Sequence, residues 1–417
     1  MSIREVLERP VENRADVAAQ LYEKSVAVLI ESQQPTGGTS ASMKGSRYFG
    51  HTYPRDHAYV TRAMVSAGKY ADAKQALTYI LNVELSPEGV MAQRYDETQK
   101  SSSNKPPQID GNAQTLIALA YYTDKSGDRE LFERYADHVT KLLQGLDHHT
   151  TSYPHGDLVY SVNGIIEFAP FEEGYEIYTN ACAYKACRDI AHLFSSILDD
   201  AKTAKALRDK AERIKRGIGH YLYIPEYGGF VFTVRREPNP SVVHVANLKS
   251  FLALIDFDVF DADDPKILSS LEYQLAGTKN EATGGYDRYN ASIGRHNFGN
   301  GPWPMVMMRL VHAYVKMGKN AEAVKALDWV LNVALINQDV ELGLPEHVVT
   351  KEELLKEFHG FMRTFDINPR EERKKEYEKN ERSKMMEKYG VAYPINPLVW
   401  SHAQFVLVWN EVRKNLL

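Results

Sequence analysis

Along most of the chain, apolar residues recur at the three-to-four-residue spacing of an amphipathic helix, and Gly and Pro punctuate them. The pattern predicts about twelve helical segments, at 13–33, 56–69, 71–84, 110–126, 128–145, 173–196, 199–221, 241–256, 264–277, 302–317, 320–335 and 397–414. Strand signals are sparse. The best lie near 158–168 and 228–235, where Tyr, Val, Ile and Phe cluster around Gly.

The segments come in pairs. Helix 56–69 ends at AGKY and its successor opens at once with ADAKQAL. Segments 110–126 and 128–145 join through KSGD, and 302–317 and 320–335 through KMGKN. In each pair the second member is the more charged and the first the more apolar. A double ring of helices requires this contrast, because inner helices are buried all round and outer ones on one stripe only. The remaining connections (34–55, 94–110, 150–172, 278–301, 338–396) are long and rich in Gly, Pro, Asn and aromatics. Long loops in a compact domain are generally functional or disordered. With the short turns on one face of the ring, the long ones crowd the other and make it the binding face. The expected fold is therefore all-α, an (α/α)6 barrel formed by residues 1–417 as a single catalytic domain. A charged helical insertion, 351–390, is dense in Lys, Glu and Arg and broken near Asn368-Pro369. It reads as solvated helices, with a lid or a dimer contact as the functional alternative.

Composition narrows the partners. A formal net charge of -5 gives no electrostatic footprint for nucleic acid or for a membrane surface. The charged N-terminal stretch lacks the apolar core of a signal peptide. No run approaches the ~18 apolar residues of a membrane span, so a cytoplasmic protein is expected. Cys182 and Cys187 lie on one predicted helix and read as buried small apolar residues rather than a disulfide framework. The 14 His are scattered without an HExxH, and there is no EF-hand loop, GxGxxG helix opening or GxSxG elbow, so no metal or cofactor is expected. The 25 Tyr fit either core packing or a sugar-binding cleft, in which flat rings cover pyranose faces.

What remains are carboxylates in unusual settings. Glu172 and Glu173 follow the run Phe168 to Phe171. They read either as first-turn acids favoured by the helix dipole or as a carboxyl held protonated among aromatics beside an ionised one, the pairing glycosidic cleavage needs. Glu346, in GLPEHVV, reads as a solvated loop residue unless a second carboxylate is required far from the first. Arg55 and Asp56 open an inner helix after Pro54. They form a cap or local ion pair, or supply donors and acceptors for sugar hydroxyls. Three further loop-to-helix junctions, Gln108-Ile109-Asp110-Gly111, Arg288-Tyr289 with Asn300-Gly301-Pro302-Trp303, and Pro397-Leu398-Val399-Trp400-Ser401-His402, are polar or aromatic where the ring opens, which suggests a common pocket.

Taken in order, these motifs resemble the glucoamylase family, glycoside hydrolase family 15, over nearly the whole chain. YPRDHAYV is similar to its W-x-R-D opening, QIDGNAQTLIAL to its Q-x-D-G helix, and FEEGYEIYTNACAYKA to its W-E-E acid motif. RYNASIGRHNFGNGPWPM, LPEHV and PLVWSHAQFV resemble its R-Y…G-N-P-W, L-x-E-Q base and closing L-x-W-S-x-A motifs. The resemblance implies Glu172 as general acid and Glu346 as the base that activates water. It places Glu173, Arg55 and Asp56 on hydroxyls of the glucose, Arg288 near the scissile bond, and Trp400 as a wall. Tyr53, Phe171, Asp110 and Trp303 join the substrate-binding set through their motifs. Inversion would set the two carboxyls roughly 6.5–9.5 Å apart. The implied activity is exo-acting release of β-glucose from α-glucosidic oligosaccharides, α-1,4 in the first instance. Isomalto-oligosaccharide (α-1,6) or trehalose hydrolysis is the alternative within the family, and a non-catalytic glycan-binding relative the alternative outside it.

Several positions depart from the family pattern. Tyr53 and Phe171 stand where Trp is usual, and the preceding aromatic slot falls among Tyr48, Phe49 and His51. NKPP occupies the place of a Trp before Q-x-D-G, His347 replaces Gln, and HVAN replaces D-A-S. The absence of β-sandwich and starch-binding modules points to short soluble substrates.

Overall fold

A computed structural model describes residues 1–46, 48–164, 173–235, 241–290, 301–364 and 370–416. Phe171 and Glu172, with the aromatic run before them, lie outside the described residues, as do Asn300 and Asn368-Pro369.

The helices form a closed double ring, an (α/α)6 barrel. Its inner wall runs from Pro54–Ser66 to Asp110–Ser126, Ile177–Ser196, the short pair Leu248–Phe251 and Ala253–Asp256, Pro304–Lys316 and Val399–Leu416, which packs back on Pro54–Ser66. Behind these lie Tyr70–Ile80, Ala136–His148, Ala201–Gly217, Pro265–Thr278, Asn320–Leu335 and, closing the circle, Arg14–Glu31. Burial separates the layers. In Asp110–Ser126 every residue from Asp110 to Ala120 is buried, whereas Ala201–Gly217 buries Ala204, Leu207, Ala211, Ile214 and Gly217 on a single stripe. Four inner helices lead to their outer partners through short turns, Asp110–Ser126 does so through the short helix Arg129–Arg134, and Val399–Leu416, last in the chain, meets Arg14–Glu31 from the other chain end. Gly68 (φ 73°) and Gly318 (φ 70°) supply the left-handed backbone in two of the short turns. Each outer helix returns to the next inner one by a long connection: 32–53, 81–109, 149–176, 218–247, 279–303 and 336–398. The long connections therefore share the face on which the inner helices begin.

Three segment boundaries differ from the sequence expectation. The 173–196 segment becomes helical only at Ile177. Tyr175 and Glu176 are paired with Val234 and Thr233, and the buried Glu176 carboxylate caps the helix through the Tyr178 and Thr179 N–H groups. Within 241–256, Ser241–Val243 pairs with Thr233–Arg235 and helix starts at Leu248, after the Asn247 cap. In both places a cross-strand ladder satisfies backbone groups that helical periodicity would have used locally. Segment 128–145 is divided at Tyr135 into Arg129–Arg134 and Ala136–His148.

The charged stretch forms helices Lys351–Thr364, Arg370–Glu381 and Lys384–Tyr389. Its ends meet, because Val349–Thr350 pairs antiparallel with Val391–Ala392. A small apolar cluster of Val349, Leu354 and Ala392 lies beneath it. Cys182 and Cys187 are buried and free. Among the described residues no helix is long and apolar enough to cross a membrane.

Candidate active site

The inner helices converge at their N-terminal ends, and the first residues of several of them meet there. Arg55 is the second residue of Pro54–Ser66, and Pro54 at the first position supplies a helical φ where its missing N–H costs no intrahelical hydrogen bond. The Arg55 side chain is buried and donates to Asp110 Oδ2 at 2.8 Å and to Gln108 Oε1 at 3.2 Å. Asp56 lies 3.9 Å from its Nε. Trp400, second residue of Val399–Leu416, is also buried, with the Arg55 guanidinium 5.6 Å from its ring centroid and Tyr59 against it at 5.0 Å. Trp303 is the N-cap residue of Pro304–Lys316. Its ring has the Arg288 guanidinium at 4.5 Å on one side and stacks on His347 at 5.6 Å with an interplanar angle of 14°.

Glu346 is not a solvated loop residue; it is buried. Its stretch is clamped from two directions. The Glu346 N–H donates to the Pro394 and Ile395 carbonyls, Leu398 N–H to Leu344 O, Ser401 Oγ to Pro345 O, and Val348 N–H to Pro302 O. The Leu344 N–H donates to His402 Nε2 at 3.0 Å. That bond fixes the tautomer: Nε2 is the acceptor, so Nδ1 carries the proton and donates to Ser25 Oγ. Burial pushes the His402 pKa down to about 3, which keeps the ring neutral. The Glu346 carboxylate interacts with Arg288 and lies 3.7 Å from His347 Nδ1. The base candidate is thus adjacent to Trp303 and Arg288.

The remaining candidates are distributed as follows. Asp110 is fully buried and accepts from Arg55, so it acts through Arg55 by holding that side chain in place. Tyr53 is buried at the N-cap, edge-on to Tyr48 at 6.1 Å, and accepts from Arg94. Glu173 is half-exposed. Its carboxylate accepts from Tyr160 Oη and its carbonyl from Arg235 Nε. It precedes the helix start by several residues, which removes the helix-dipole reading for it.

Sequence reasoning passed over Lys249. This side chain is second in Leu248–Phe251, the place Arg55 and Trp400 hold in their own helices, and it is 1% exposed. Its Nζ lies 5.0 Å from the Trp303 centroid and 4.5 Å from that of Trp400. Burial, then the charges of Arg288 and Arg55, push its pKa well below the usual lysine range. The available signal was a lysine in the run LKSFLALI, in which Ser250 is the one other polar residue. Asp287, next to Arg288, was also missed. Burial raises its pKa to about 7 although Asn280 donates to it, and Glu353 adds to the rise.

No family model and no curated protein matches the chain. Solved structures do. A glycosidase variant in complex with glucose superposes with a TM-score of 0.70 at 16% identity, covering 98% of this chain and 100% of that one. A bacterial glucoamylase complexed with acarbose gives 0.67 at 17%, covering 96% and 56%. A sugar epimerase from a ruminal bacterium gives 0.61 at 13%, covering 96% and 99%. At these identities the likeness is one of fold. The same ring carries glycosidases and an epimerase, so the chemistry has to be argued from the site.

Proposed function

We propose that the protein is an inverting, exo-acting glycoside hydrolase that releases β-glucose from the non-reducing end of α-gluco-oligosaccharides, acting first on α-1,4 linkages. Glu172 protonates the departing glycosidic oxygen, and Glu346 takes a proton from the water that attacks the anomeric carbon from the opposite face. Arg55 and Asp56 hold hydroxyls of the terminal glucose, Trp303 and Trp400 cover its apolar faces, and Arg288 lies beside Glu346. No cofactor takes part.

The observation that carries this reading is the meeting of Arg55, Arg288, Trp303, Glu346 and Trp400 at one end of the ring, although they are spread over most of the sequence. Charged and aromatic groups together suit a pyranose, whose faces are apolar and whose rim is hydroxylated. The glycosidases among the structural neighbours support the same class. The test is glucose release from maltose, isomalto-oligosaccharides, trehalose and soluble starch by wild type, Glu172→Gln and Glu346→Gln. Each variant should lose kcat by roughly 10²–10⁴-fold, and fresh product should be the β-anomer by polarimetry or NMR. Undiminished turnover in either variant overturns that assignment, and α-anomer product overturns inversion.

A further inference from the structure

A buried lysine ordinarily has its ammonium paired with a carboxylate or with several carbonyls, because an ion without acceptors is costly in a protein interior. Lys249 has neither. Among the described residues its Nζ is approached by the faces of Trp303 and Trp400, and no carboxylate or carbonyl lies within hydrogen-bond distance. Cation–π contact offsets only part of the cost of burial. The neighbouring charges add to that cost, for Arg288, Arg55 and Arg309 all disfavour another cation, while Asp56 favours it. The backbone around it is fully engaged: its N–H donates to Arg288 O, and its carbonyl accepts from Arg309. Packing does not explain the residue, since a Met or Leu would fill the space between two indoles without an unpaired donor.

The place of Lys249 supplies the explanation. It occupies the helix position that Arg55 and Trp400 hold in their own helices, and both rings that flank it belong to the candidate active-site cluster. We propose that Lys249 is a specificity-determining residue whose Nζ, lying between Trp303 and Trp400, donates a hydrogen bond to a hydroxyl of the sugar bound beside them, so that the substrate completes the coordination the protein leaves open. The inference rests on the glycoside hydrolase reading of this pocket. A sugar lacking that hydroxyl leaves the amine unpaired and is rejected, whereas rings that differ elsewhere are tolerated.

A cycle between protein and substrate tests the proposal. Wild type and Lys249→Met are assayed on 4-nitrophenyl α-glucoside and on its monodeoxy analogues. For one analogue, wild type should lose roughly 10- to 100-fold in kcat/KM. Lys249→Met should lose a similar factor on the parent glucoside and show no further loss on that analogue, while its penalties on the other analogues stay as in wild type. A Lys249→Met penalty of the same size on every analogue marks a structural residue and overturns the proposal. Lys249→Gln, which retains a donor on a shorter side chain, replaces Met if that variant does not fold. If wild type hydrolyses none of the glucosides, the glycosidase reading fails by itself. The same cycle is then run on binding, with glucose and deoxyglucoses followed by tryptophan fluorescence. Coupling between Lys249 and one hydroxyl sustains the contact, and uniform or absent binding overturns it.

Discussion

Arg55 illustrates how an interior charge becomes a usable group. The guanidinium is buried, and its pairing with Asp110 and Gln108 keeps it from being an uncompensated ion. Removing one partner of such a pair strands the other, which typically costs about 3–5 kcal/mol. Asp110→Ala is therefore expected to lower unfolding stability by about that amount in urea titrations, and Asp110→Asn, which keeps an acceptor, by less. If Asp110→Ala proves neutral, Arg55 is held by something other than this pair. At this scale the sequence is legible only for local relations. PRDH displays the helix opening, but nothing in it shows that Arg55 turns to a carboxylate on the next inner helix rather than to Asp56 beside it. Glu346 could not be told from a solvated loop acid for the same reason, since the carbonyls that bury its backbone come from residues 394 and 395 and its other clamps from residues 302 and 398–402.

The clamp on Glu346 is a property of two extended segments lying side by side, and a glycine makes their approach achievable. Gly301 has φ +95°, and a Cβ on it would fall 2.0 Å from the Val348 carbonyl oxygen, while Pro302 O accepts the Val348 N–H. Gly301→Ala therefore carries backbone strain of roughly 1–3 kcal/mol and also displaces the stretch that carries Glu346. The expected outcome is a lower melting temperature together with a fall in kcat on the best glucoside. A variant that melts earlier with unchanged kcat would show that the Glu346 stretch does not depend on this contact. Elements were more legible than side-chain partners. Helical periodicity, with Gly and Pro as punctuation, located the ring because each helix buries its stripe against immediate neighbours. It failed at 173–176 and 241–247, where strand pairing across the sequence outweighs local preference. A short buried strand and a buried helix turn look alike in apolar pattern alone.

Over the whole molecule, ring closure is read from the chain's two ends. Arg14–Glu31 packs on Val399–Leu416, where Ser25 meets His402 and Tyr22 meets Asn410. Pairing of adjacent helices was visible in the sequence; the identity of the closing pair was not, because no local pattern records a contact between the first and last helices. The closed interior also sets how stability depends on pH. His57, hydrogen-bonded through Nε2–H to Ala76 O, is pushed down to about 4 by burial, and His402 to about 3. Both contribute stability that is complete above pH 6.5 and is lost as pH falls through those values, because the unfolded chain takes up the protons first. Burial would also depress His312, but hydrogen bonds with the Asp256 and Glu411 carboxylates override it and hold it at about 9. Its contribution is complete below pH 6.5 and is lost as pH rises towards 9, about 3 kcal/mol at most. Asp287, raised by burial to about 7, likewise costs stability as pH climbs from 3.8 to 7. Between pH 4 and 6.5 the two histidines outweigh the one aspartate, and above 6.5 Asp287 and His312 act in the same direction, so maximum stability is expected near pH 6.5. Urea unfolding from pH 4 to 9 measures the curve. His312→Gln should flatten its limb as pH approaches 9, well above the Asp287 value, where His312 alone among these groups still loses protons. An unchanged slope in that variant would mean that the Asp256–His312–Glu411 cluster does not govern alkaline stability.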